Sequence, residues 1–215
     1  MKNIETHLHI GKSPTSPLIV LNMFARQEQE ILSYLKGDCS LLAIMGMDWD
    51  DDLTPWECPR LSKGDKPCRG KADGYLAYLE EEIIPAAIRE NALRPSEFGI
   101  AGYSLAGLFA IYAATKSPLF SLVASCSGSL WYPSFKEYLI LHPLKPEVRR
   151  VYLSLGDKES HTRHPLLREV QTNTEFAFRL FESTGKDVRF ELNEGNHFAE
   201  SAKRTAKGID YLLIE

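Results

Sequence analysis

Phe98-Gly99-Ile100-Ala101-Gly102-Tyr103-Ser104-Leu105-Ala106-Gly107-Leu108-Phe109-Ala110 is the stretch on which the fold turns. A short apolar run ends in a glycine, one residue intervenes, a serine follows, and small residues lead into an apolar segment that continues to Ala114. That order predicts a strand, a sharp turn carrying the serine, and a buried helix. A serine held on such a turn adopts a strained backbone conformation, so its neighbours two before and two to three after must be small. Gly102, Ala106 and Gly107 meet that demand, with Ala106 standing where the pattern Gly-x-Ser-x-Gly has its last glycine. The turn would lift Oγ of Ser104 out at the carboxyl end of a sheet. The backbone N–H of Leu105, at a helix N-terminus, would then be ready to stabilise an oxyanion.

Outward from this stretch, strand and helix patterns alternate. Ile4 to Ile10 alternates in character and predicts an edge strand, and Pro17 to Met23 a buried one. Ala25 to Leu35 repeats Ile31, Leu32 and Leu35 on one helical face and stops at Gly37, and Ser40 to Gly46 is a second apolar run of strand length. Strand, helix, strand is the unit that builds a parallel sheet. Helical period returns over Tyr75 to Asn91, with Pro85 capping or kinking it. Beyond the serine come a strand over Ser121 to Gly128, an aromatic-rich connection over Trp131 to Leu141, and a strand over Arg150 to Leu155. A helix over Leu166 to Ser183, a strand over Val188 to Leu192 and a helix over Phe198 to Leu213 complete the chain. The fold class is α/β, a mostly parallel central sheet flanked by helices, in one domain spanning 1–215.

Three strand ends carry reactive side chains in the order serine, acid, histidine. In a parallel sheet the carboxyl ends lie on one edge, so residues distant in sequence can converge there. His197, after the last strand, is placed to take the Ser104 proton through Nε2 while a carboxylate holds its other nitrogen. Glu159 is the expected carboxylate, because a side chain three places beyond Gly156 can swing back toward the histidine; Asp157 is the alternative. The second oxyanion donor is expected just after the strand Leu41 to Gly46, from the amide of Met47 or Asp48. Trp49, Trp56, Trp131 and Tyr132 sit on connections near this edge and are expected either to line a substrate pocket or to pack the loop on the core.

From Met47 to Asp73 regular patterning vanishes, and loops this long inside a compact domain are often functional. The acidic run Asp48 to Asp52 lacks the ligand spacing of a calcium loop. His7 with His9, and His161 with His164, are not expected to bind metal, and no cofactor is implied. The 215 residues are 44% hydrophobic with a formal net charge of −4, which argues against nucleic acid as a partner. No segment approaches the roughly 20 apolar residues that span a bilayer, so no membrane is expected and the location is read as cytoplasmic. Cys39, Cys58, Cys68 and Cys126 form no framework and are expected as free thiols.

The Ser104 string, Asp48-Trp49-Asp50-Asp51-Asp52-Leu53-Thr54-Pro55-Trp56, Leu155-Gly156-Asp157-Lys158-Glu159 and Gly195-Asn196-His197-Phe198 together resemble the putative-esterase branch of the α/β-hydrolases. That branch includes esterase D-like enzymes, feruloyl esterases and siderophore trilactone esterases. The resemblance implies an α/β-hydrolase fold without a large cap domain, cleaving small-molecule carboxylic esters through Ser104, His197 and Glu159. No basic cluster suits a triply anionic iron chelate. The alternatives are an acyltransferase using the same residues, or a binding protein that keeps the fold without catalysis.

Overall fold

The structure is a computed structural model and describes residues 4–60 and 66–214. In chain order it contains β1 (Glu5–His9), β2 (Leu18–Asn22), α1 (Glu28–Tyr34), β3 (Ser40–Met45), β4 (Glu57–Cys58), β5 (Cys68–Arg69), α2 (Ala72–Tyr78) and α3 (Ile84–Glu90). Then come β6 (Phe98–Tyr103), α4 (Leu105–Lys116), β7 (Leu122–Cys126), α5 (Phe135–Leu141), β8 (Arg150–Gly156), α6 (Pro165–Arg168), α7 (Val170–Ser183), β9 (Asp187–Asn193) and α8 (Ser201–Leu212).

Among the described residues the main sheet orders its strands β1-β3-β2-β6-β7-β8-β9, with β1 antiparallel to β3 and the remaining pairs parallel. β2 and β3 are nearly continuous aliphatic runs, and β6, β7 and β8 are largely apolar, because both faces are covered. Side chains alternate between two cores, as the strand period requires. Val20, Leu42 and Ile44 meet Leu76 of α2, Phe109 of α4, Phe135 of α5 and Phe181 of α7. Ile19, Leu21, Leu41 and Ala43 meet Ile31 of α1 and Ala206 and Ile209 of α8. Helix α4 is buried from Leu105 to Thr115, as an element sandwiched against the sheet must be.

Several boundaries differ from the sequence expectation for local reasons. Pro85 stands in the first turn of α3, directly after a π-helical turn over Leu79–Ile83, and Glu81, the residue whose carbonyl a proline four places on would crowd, lies inside that wider turn. The aromatic connection after β7 holds α5. The helix expected over 166–183 is interrupted at Glu169. The last helix starts at Ser201 because Glu200 is left-handed, with φ 49°, which leaves Phe198 in the preceding turn. Within the long loop, β4 and β5 form a small antiparallel ladder in which Cys58 and Cys68 stand opposite each other as free thiols. Part of that loop, 61–65, lies outside the described residues.

On the edge strand β1, His7 Nδ1 and His9 Nε2 both lie on the Glu28 carboxylate, at 2.8 and 2.7 Å, and tie α1 to the sheet. Among the described residues no group of three or more His, Cys, Asp or Glu is arranged to hold a metal ion, and no helix is long and apolar enough to cross a membrane.

Candidate active site

The carboxyl ends of β2, β6, β7, β8 and β9 share one edge, and the site is assembled there. Ser104 joins β6 to α4 with φ 60° and ψ −123°, a conformation that costs a serine roughly 1–3 kcal/mol. Three backbone bonds hold it. Ser104 N–H donates to Cys126 O at 3.1 Å, and Ser104 O accepts from Ser129 N at 3.0 Å and Leu108 N at 3.1 Å. The bend also demands Gly102, where a Cβ would stand 2.4 Å from the carbonyl carbon and oxygen of Ala106.

His197, in the turn after β9, places Nε2 3.0 Å from Ser104 Oγ, and its Nδ1 lies 2.8 Å from Glu159 Oε2. With Nδ1–H donating to the carboxylate, Nε2 is left to accept the serine proton. Glu159 follows β8, and its side chain is 4% exposed against 30% for His197. Its other oxygen accepts from Gly156 N–H at 2.6 Å and from Ser127 Oγ–H at 2.7 Å. Burial pushes this carboxyl up, but the His197 ring and these two donors outweigh it and hold Glu159 below the usual glutamate range. Asp157, the alternative acid, instead accepts from Gly195 N–H at 2.8 Å and so shapes the histidine turn.

The strand order corrects the expected position of the second oxyanion donor. Met47 and Asp48 follow β3, which is separated from β6 by β2. Met47 is buried in the core and the Asp48 N–H donates to Asp52 Oδ2 at 2.8 Å. The neighbour of the serine strand is β2, with Asn22 paired to Gly102. Met23 N–H is committed to Ile44 O at 3.0 Å, so the next amide on this edge is that of Phe24, a residue lining the same cavity as Ser104. The N–H of Leu105 opens α4 directly after the serine.

Two hollows meet at Ser104 and His197. The larger, about 390 Å³, is walled by Met23, Phe24, Ile31, Trp49 and Phe198, with Arg26, Gln27 and Ser201 as polar groups. The smaller, about 190 Å³, is walled by Trp131, Leu167 and Val170, with Ser129 beside the serine. Trp49 therefore lines the larger hollow, stacked on Phe24 with ring centroids 4.0 Å apart, and Trp131 lines the smaller. Trp56 and Tyr132 line neither, and the pocket expectation is corrected for both. Tyr132 is 1% exposed and donates its hydroxyl to Trp56 O at 2.6 Å, while Trp56 Nε1 donates to Pro133 O at 2.9 Å. These two rings pin the long loop to the segment before α5, their polar atoms satisfied by backbone.

A family model described as "Putative esterase" matches residues 26–201. The chain belongs to that family. This esterase is 31% identical over 171 residues to the uncharacterized protein YbbA of Bacillus subtilis, a match covering 75% of this chain and 68% of YbbA. Among solved structures it resembles an IroE-like serine hydrolase from Shewanella oneidensis (TM-score 0.77, 18% identity, 98% of this chain and 75% of that one). It also resembles the siderophore hydrolase EstA from Aspergillus nidulans (TM-score 0.73, 18% identity, 98% and 94%). At such identity the likeness shows the fold: the esterase is an α/β protein with a mostly parallel sheet flanked by helices. Sequence reasoning missed Phe24, Ser127, Ser129, Phe198 and Arg204 around its site. Only the lateral strand order would have pointed to Phe24.

Proposed function

We propose that the chain hydrolyses carboxylic esters through an acyl-enzyme on Ser104. The observation that carries this reading is the unbroken chain from Ser104 Oγ to His197 Nε2 at 3.0 Å and from His197 Nδ1 to Glu159 at 2.8 Å, at the mouth of two hollows. Ser104 Oγ attacks the ester carbonyl as its proton passes to Nε2, and the resulting imidazolium is stabilised by Glu159. The N–H groups of Leu105 and Phe24 receive the oxyanion that forms on the carbonyl oxygen. Collapse of the tetrahedral adduct breaks the bond to the alcohol oxygen, which takes the proton back from Nε2. Water, deprotonated by the same nitrogen, then attacks the acyl carbonyl and releases the acid and the free serine.

Acyl and alcohol parts would occupy the two hollows on either side of Ser104. The Phe24 and Trp49 rings favour an apolar or aromatic portion in the larger one. Among the described residues Arg26 is the one Lys or Arg side chain on its wall, which favours neutral or singly charged esters over a triply anionic chelate. Release of acid from a panel of esters varied in acyl and alcohol parts tests the proposal. Wild type should turn over several of them and Ser104→Ala none; equal turnover by both would refute it.

A further inference from the structure

Helix α8 brings a charged side chain beneath the site that the chemistry above does not use. Arg204 is 2% exposed, and it stands among the largest fully buried side chains of the molecule. Its Nη2 donates to Glu194 O at 2.8 Å and its Nη1 to Asn196 O at 3.1 Å, both in the turn that carries His197. Nη1 also reaches Tyr103 Oη at 3.2 Å, Ser127 Oγ at 3.4 Å and Glu159 Oε1 at 3.5 Å. Tyr103 in turn donates its hydroxyl to His197 O at 2.8 Å. One guanidinium thus touches the residue before the nucleophile, the turn after β7, the acid and the histidine turn. The backbone is left bare to admit it: a Cβ on Gly156 would stand 2.3 Å from Gly195 O and 3.0 Å from Arg204 Nη1.

Nε has no hydrogen-bond partner among the described residues, so the fork is aimed by its Nη atoms alone. An ion pair this deep is a poor way to gain stability, since apolar side chains of similar volume usually serve as well. We infer that Arg204 is a positioning residue for ester cleavage, tying the acid loop to the histidine turn and balancing the buried charge of Glu159. The inference rests on the reading of Ser104, His197 and Glu159 given above.

Charge balance gives the role its content. A general base must be neutral in the free enzyme, yet His197 sits against a carboxylate that is 4% exposed. Left uncompensated, that carboxylate would set an unopposed buried negative charge against the ring. The ionisable groups facing the guanidinium are Glu159 from the β8 loop, Tyr103 from β6, Cys126 from β7 and the exposed Glu200 before α8. Glu159 and Tyr103 also face the His197 ring. Of these groups Glu159 alone is both buried and anionic at neutral pH, and Arg204 is its counter-charge.

The test compares Arg204→Gln, which removes the charge, with Arg204→Lys, which keeps the charge and loses the fork. Hydrolysis of p-nitrophenyl acetate is followed across pH, with wild type and Ser104→Ala as controls. Both variants should lower kcat by about tenfold or more while KM stays within about threefold. Only Arg204→Gln should move the acid limb of kcat/KM to higher pH. Glu159→Gln should then cost less in the Arg204→Gln background than in wild type. An unmoved limb with additive losses, or an unchanged kcat, overturns the proposal. Should Arg204→Gln fail to fold, Arg204→Lys decides: wild-type kcat overturns it, and a reduced kcat at unchanged KM and limb supports it. Full activity in Ser104→Ala would overturn the underlying reading, and the proposal with it.

Discussion

Replacing Glu159 by glutamine changes one atom and should reverse the direction of the hydrogen bonds in the site. Gly156 N–H at 2.6 Å and Ser127 Oγ at 2.7 Å both point at Oε1, and the Arg204 fork lies 3.5 Å from the same atom. In Glu159→Gln these donors fix the amide with its oxygen toward them, so the NH₂ group faces His197 Nδ1 across 2.8 Å. An N–H facing Nδ1 makes that nitrogen an acceptor, and the ring proton must move to Nε2. Nε2–H then donates toward Ser104 Oγ and can no longer take its proton. A wrong-tautomer defect of this kind costs about 10⁴ in kcat, or about 5.4 kcal/mol in the barrier at 1.36 kcal/mol per decade. Asp157→Asn is the matched control. It keeps a carbonyl for Gly195 N–H, the bond that Asp157 Oδ1 accepts at 2.8 Å, and should stay within about threefold of wild type. Initial rates of p-nitrophenol release, with thermal midpoints measured at the same neutral pH, separate lost chemistry from lost fold. A Glu159→Gln enzyme within about tenfold of wild type, or a larger loss in Asp157→Asn, would refute the reasoning.

The oxyanion assignment predicts that Phe24→Pro, which deletes the amide proton, lowers kcat by about 10²–10³. Phe24→Leu, which trims only the ring, should lose far less, and equal losses would return the second donor to the Met47 region. Gly102→Ala forces a Cβ to within 2.4 Å of Ala106 backbone atoms, and overpacking of about 1–3 kcal/mol should lower the thermal midpoint by about 3–10 °C. Adding Ala106→Gly should restore it only in part, because it removes the Ala106 Cβ at 2.6 Å but leaves the main-chain carbonyl at 2.4 Å; full recovery in the double variant would show that the bend is not as cramped as described.

What was readable in the sequence, and what was not, divides along the physics of the sheet. The order of Ser104, Glu159 and His197 could be placed because each follows a strand pattern, largely apolar before Ser104 and Glu159 and alternating before His197, and a parallel sheet presents such ends on one edge. The donor after β2 could not, because the lateral order β1-β3-β2-β6 depends on which strands pair across the fold, and the run over Ser40 to Gly46 reads no differently from Leu18 to Asn22. The roles of Trp56 and Tyr132 were equally hidden. An aromatic on a loop looks the same in sequence whether it lines a cavity or anchors the loop through Pro133 O and Trp56 O. Arg204 is the extreme case. In Ser201-Ala202-Lys203-Arg204-Thr205 it reads as one more polar residue at the start of a surface helix, and only the convergence of three loops around it turns it inward.

The claim on which the rest depends is that one hydroxyl, among several serines at this edge, is the nucleophile. Ser129 is its nearest rival, with Oγ 3.4 Å from that of Ser104. Reaction with a fluorophosphonate followed by peptide mass mapping decides between them. One adduct per chain is expected, on Ser104, abolished in Ser104→Ala and greatly slowed in His197→Ala. An adduct on Ser129 or elsewhere, or labelling that survives in Ser104→Ala, would contradict it.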